Sequence, residues 1–164
     1  MPRPVRLTFV LALALGVAGC RQADGPTPAP SREQSNEIGD ISRDLINIVN
    51  KDPQALEELR SDLLKYASND ESARRIGGLV AEISQALAGA RLDDQTAQSL
   101  ARTVWVGLNG KELSDRQVQA LEREVKTTLA STGVAENRAQ AIADRLGAVQ
   151  KTMTQNPRRW YQVF

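Results

Sequence analysis

Few side chains here have the types or spacing that chemistry needs. Cys20 is the sole thiol among 164 residues, and there is no His. The commonest general base and metal ligand is therefore missing. One Cys excludes an internal disulfide framework, and Cys/His zinc sites fail for want of ligands. With 21 basic against 20 acidic residues and a net charge of +1, the chain lacks the broad basic field that nucleic acid demands. The residues point to no metal, no cofactor and no nucleic-acid partner.

The remaining motifs fail on their surroundings. Glu71-Ser72 resembles the catalytic Glu-Ser pair of lytic transglycosylases, but the Gly-rich and aromatic motifs that should follow are missing. Asp70-Glu71-Ser72 also suits a helix start, where acids meet the positive end of the helix dipole. Gly107-Leu-Asn-Gly110-Lys111 has a Gly-Lys pair without the Gly spacing, the following Ser/Thr or the preceding strand of a phosphate loop. It reads as a turn between helices. Asp93-Asp94 and Glu122/Glu124 sit beside caps or on polar helix faces, and nothing makes them converge as two-carboxylate hydrolysis requires. Glu57-Glu58 with Arg60 reads as a solvated helix face. No catalytic site is visible.

Cys20 is different because of what precedes it. Arg3 and Arg6 form a positive start, and a short apolar run follows. That run is too short to span a bilayer, which takes about 20 residues, and it reads as a signal peptide. Val17-Ala18-Gly19-Cys20 resembles the lipobox of bacterial lipoproteins. The resemblance implies cleavage after residue 19 and transfer of a diacylglyceryl group to the Cys20 thiol. Residues 20–33 would then be the lipidated Cys and its tether. The tether carries Pro26, Pro28 and Pro30 and no large apolar side chain, so it should be extended and semi-rigid. In Gram-negative lipoproteins an Asp after the acylated Cys favours the inner membrane. Arg21 stands there instead, which implies the outer membrane, facing the periplasm, where the host has two membranes.

From about residue 34 to 164 the chain must supply the folded domain, and every segment reads helical. Six apolar stripes recur at three- and four-residue steps. They are Ile38/Ile41/Leu45/Ile48/Val49, Leu56/Leu59/Leu63/Ala67, Ile76/Leu79/Val80/Ile83/Leu87, Ala97/Leu100/Val104/Leu108, Val118/Leu121/Val125/Leu129 and Ala139/Ile142/Leu146/Val149/Met153. Asp52-Pro53 should open the second helix as N-cap and first helical residue. Asn69-Asp70 separates the second and third stripes. Ser114-x-x-Gln117 reads as a capping box with a Leu113–Val118 staple, and Asp93-x-x-Thr96 as a weaker copy. Gly107–Gly110 and Thr132-Gly133 are the clearest turns. Residues 92–104 and 113–125 match at six of thirteen positions, through an old duplication or through similar capped helices. No segment alternates with period two, so no strand is expected. From Glu33 onward, 36 large apolar side chains can fill one core. The expected fold is all-α, about six amphipathic helices in an up-and-down bundle or helical-hairpin array.

Two features stand outside that pattern. Trp105 reads as core or boundary packing beside Val104. Arg158-Arg159-Trp160-Tyr161-Gln162-Val163-Phe164 holds three of the five aromatics left after cleavage, yet is too short for a stable helix. Either Trp160 and Phe164 fold back over the open end of the bundle, or the segment meets a partner, with Arg158 and Arg159 on its acids or on lipid phosphates. Taken together, the residues describe a lipid-anchored, non-catalytic helical protein that binds an envelope protein in an accessory, assembly or scaffold role. The alternative is an envelope enzyme, or an inhibitor of one, acting on peptidoglycan. Acylation is the first point to test. A palmitate analogue should label the wild-type protein, and Cys20→Ala should abolish the label. Met1 on the mature form, detected by intact mass, would defeat the assignment.

Overall fold

A computed structural model describes residues 31–109 and 112–155. Six α-helices follow one another: α1 Arg32–Val49, α2 Ala55–Leu64, α3 Asp70–Leu87, α4 Asp94–Leu108, α5 Asp115–Ser131 and α6 Glu136–Gln155. No strand occurs among the described residues. The signal peptide, Cys20 and the proline tether up to residue 30 lie outside them, as do Gly110, Lys111 and the C-terminal residues 156–164.

Local chemistry fixes most of the helix starts. Ser31, Asn69 and Ser114 each close a reciprocal capping box, with Gln34, Ser72 and Gln117 respectively. Asp93 caps α4 through the Thr96 N–H at 2.7 Å. Each box satisfies donors that a helix N-terminus otherwise leaves without partners. The Ser31 box begins α1 at Arg32, two residues ahead of the start read from its apolar stripe. The start of α2 differs from expectation. Asp52 and Pro53 form a turn in which Asp52 Oδ1 accepts from the Gln54 N–H at 2.9 Å. The helix proper begins at Ala55, with Gln54 as an N-cap that makes no side-chain cap bond.

The second stripe is also rotated from the one expected. Ala55, Leu59 and Leu63 are fully buried, whereas Leu56 is 37% exposed. Successive helical residues are about 100° apart, so a core line through 55, 59 and 63 turns Leu56 outward. In the other five helices every expected stripe residue is buried except Val49, which is partly covered. The thirteen-residue match also holds its register. Ala97 and Val118 are buried, as are Leu100 and Leu121, and Val104 and Val125, and so are Ala139, Ile142 and Leu146, each a further 21 residues along the chain.

Consecutive helices do not simply pair in sequence order. Helices α1, α2 and α3 form one group and α4, α5 and α6 another. The groups meet where α1 packs on α4 and α3 packs on α6. These four helices form a ring, α2 covers the α1–α3 edge and α5 covers the α4–α6 edge. The link from α3 to α4 departs at Gly89, whose φ of 137° is open to glycine, and is pinned by the Arg91 N–H to the Thr132 carbonyl at 3.1 Å. Gly133, with φ 84°, makes the expected turn after α5.

Gly107 lies inside α4, not in the turn beyond it, because the helix continues to Leu108. A Cβ there would stand 2.7 Å from Leu146 Cδ1, so its absence sets how closely α4 approaches α6. Gly77 in α3 is the opposite case, since a Cβ would meet nothing within 4 Å. The same substitution should therefore act with opposite signs. Gly107→Ala is expected to destabilise by about 1–3 kcal/mol through overpacking. Gly77→Ala should stabilise by about 0.5–1 kcal/mol through helix propensity. Urea unfolding of both variants checks this, and shifts in the same direction would refute the packing account.

Candidate functional site

Helix α2 presents three different faces, and its shortness makes each one easy to follow. Ala55, Leu59 and Leu63 face the core. Leu56, Arg60 and Leu64 line a groove completed by Ala73, Arg74, Gly77, Val80 and Ala81 of α3, with Glu57 on its rim. The groove holds about 500 Å³ of open space. Leu56 is the exposed large hydrophobic residue in it. Ala73, Gly77 and Ala81 recur every four residues, so the α3 wall is low along its length.

The third face of α2, with Glu58 and Asp62, opposes acids on α1. Asp44 lies there, only 4% exposed. Its Oδ2 is buried and has no hydrogen-bond partner. Burial first, then the charges of Asp62 and Glu58 and, more weakly, Asp40, raise the Asp44 carboxyl to about 6 against the opposing charge of Arg43. A carboxyl enclosed among acids holds its proton to a higher pH, because ionisation places an unpaired charge out of water.

A second polar node joins three parts of the fold. Glu37 Oε2 on α1 accepts from Trp105 Nε1 at 2.7 Å and from the Tyr66 hydroxyl at 2.9 Å. Trp105 is therefore buried in the core with its indole N–H satisfied. Burial first, and then the bond to Glu37, raise the Tyr66 phenol well above its usual range. The groove, the Asp44 pocket and the Glu37 node all converge on α2 and its two flanking connections.

The motifs weighed in the sequence take local roles where they are described. Ser72 is buried, and its hydroxyl accepts from the Asn69 N–H at 3.0 Å and donates to the Asn69 carbonyl at 2.8 Å. It thereby closes the α3 capping box, while Glu71 pairs with Arg75 on the exposed helix face at 2.8 Å. Asp93 is likewise occupied as a cap, and the Thr96 backbone N–H holds its carboxyl below the usual range. The lipidation residue Cys20 and the segment with Arg158, Arg159, Trp160, Tyr161 and Phe164 lie outside the described residues. Sequence reasoning missed the groove and Asp44. The available signal for Asp44 was its spacing: three residues after Ile41 and four before Ile48, it occupies a stripe position.

Among the described residues, fold and site together define a six-helix, all-α domain with an open, largely apolar groove on one edge. Comparison with family models, curated proteins and solved structures finds no match. Among the described residues no cluster of His, Cys, Asp or Glu is arranged to hold a metal ion. None of their helices is long and apolar enough to cross a membrane.

The acid pocket sets a pH dependence. The folded-state pKa of about 6 lies above the ordinary 3.8, so the folded protein keeps a proton that the unfolded chain releases. The stabilisation is complete below about pH 4 and is lost as pH rises through 6, a change of about 3 kcal/mol. Asp44→Asn should flatten this part of the profile and leave the variant more stable than wild type at pH 7. Thermal or urea unfolding between pH 4 and 7 measures it. An unchanged slope in the variant would show that Asp44 is not the group responsible.

Proposed function

We propose that this protein is a lipid-anchored helical protein of the bacterial envelope that acts by binding another envelope protein, without catalysis of its own. The observation that carries this reading is the α2–α3 groove, where Leu56 remains in water beside a low wall of small residues. A concave site that is mostly apolar and carries a few charged side chains is the usual form of a binding site. The Val17-Ala18-Gly19-Cys20 box and the Pro-rich stretch after it support an anchor and a spacer. Arg21 favours the outer membrane, facing the periplasm, where the host has two membranes.

The alternative, an envelope enzyme or enzyme inhibitor acting on peptidoglycan, would draw on Asp44, since a carboxyl of raised pKa is what a general acid needs. Asp44 is buried against α2, and proton transfer requires hydrogen-bond reach to a substrate. That burial favours the binding role. A photo-crosslinking residue placed at position 56 in the full-length protein tests the choice in cells. The expected result is a discrete protein adduct that weakens when Cys20→Ala removes the anchor. Labelled glycan in place of a protein adduct would support the peptidoglycan reading, and absence of any adduct would overturn the binding role at this groove.

A further inference from the structure

Glycine inside a helix is less favourable than Ala, so each such glycine invites an explanation. Gly107 admits Leu146. Gly78 leaves room for Arg145, whose Nη1 would stand 2.9 Å from a Cβ, and Arg145 crosses α3 there to reach Glu82 at 2.9 Å. Gly39 in α1 and Gly77 in α3 have no such neighbour, and of the two it is Gly77 that lines the groove. Nothing inside the described fold uses the space it leaves.

We propose that this space receives an amphipathic helix of a partner protein, which seats apolar side chains against Leu56 and Leu64 over the low Ala73–Gly77–Ala81 wall and presents a carboxylate to Arg60 and Arg74. The proposal rests on the partner-binding role and specifies the chemistry of the partner. Two helices packed side by side leave a groove that accepts the ridge of a third, and a low wall lets its backbone approach closely. The charges choose the polar component. Arg60 on α2 and Arg74 on α3 stand on opposite walls of the groove. Arg74 makes no ion pair or hydrogen bond among the described residues, and Arg60 reaches only the exposed Glu57, at 4.0 Å. Both guanidiniums are thus available to a carboxylate, which they match by geometry as well as charge. Glu57 on the same rim disfavours a second acid close by. The incoming helix should carry apolar residues at i, i+3 or i+4 and i+7, with one Asp or Glu beside them.

Selection of a randomised helical-peptide library on the purified, acylated full-length protein tests this. The selected peptides are expected to show that apolar spacing with an enriched acid. They should bind Arg74→Glu roughly tenfold or more weakly, as loss of a charged hydrogen bond does, and regain affinity when their acid is replaced by Lys. Gly77→Leu should block them while circular dichroism stays that of wild type, because the added side chain enters open space. Leu56→Asp, at an exposed position, serves as the second groove variant. Peptides without acidic enrichment, or indifferent to Arg74→Glu, would overturn the assignment. So would binders that ignore both groove variants. Success only on a chain lacking residues 158–164 would give the groove to the protein's own C-terminal segment, and a dimer abolished by Gly77→Leu would give it to a second copy. Either result refutes the partner helix. Acid-selective peptides with no cellular adduct at position 56 would defeat the proposed function but not the groove chemistry. An adduct without acid selectivity would do the reverse.

Discussion

The structure hangs on the seam between its two three-helix groups. Across it, one oxygen of Glu37 accepts from Trp105 and also from Tyr66, so a single atom ties α1 to α4 and to the α2–α3 connection. The second half of the seam is the α3–α6 contact, where Arg145 reaches Glu82 over Gly78 and Arg138 donates to the Gln85 carbonyl at 2.8 Å. Polar bonds at the rim set the register, and apolar burial between them supplies the free energy. With the ring of α1, α4, α6 and α3 fixed in this way, α2 and α5 are left to cover opposite edges. Having a neighbour on only part of its surface is what leaves α2 with a groove to offer.

Much of this was legible in the sequence because short-range physics determined it. The stripes of α1, α3, α4, α5 and α6 found the core through helical periodicity alone. Ser114 and Asp93 announced their helices because capping needs only three residues of context. The failures cluster at α2. The run Leu56, Leu59, Leu63 has good helical spacing, but so does Ala55, Leu59, Leu63, and small Ala55 carries little weight in a hydrophobic pattern. Tertiary packing chose the second line. Asp52-Pro53 resembled a cap and first turn, yet the chain uses it as a separate turn before the helix begins.

Side-chain chemistry was harder to read, for a related reason. An Asp on an apolar stripe is ambiguous until its neighbours are known, and those of Asp44 include Asp62 and Glu58 from another helix. Gly107 reads as part of a turn because glycine breaks helices by propensity. Its actual role depends on Leu146, 39 residues later in the chain. The pairing of α1 with α4 and of α3 with α6 had no signature at all, since amphipathic stripes state that a face is buried without stating against what.

The sparse attachment of α2 has a consequence for how the protein breathes. This helix has 10 residues, no side-chain cap at its start, and a positive-φ Lys51 in the turn leading to it. It packs principally on α1 and α3, and the face it turns to α1 shelters a carboxyl that resists ionisation. Detaching it would leave the four-helix ring closed. Such a segment opens as a unit at a free energy below that of global unfolding. Its amide hydrogens would then exchange with solvent well before those of α4 or α6, and a protease entering the folded protein would cut there first.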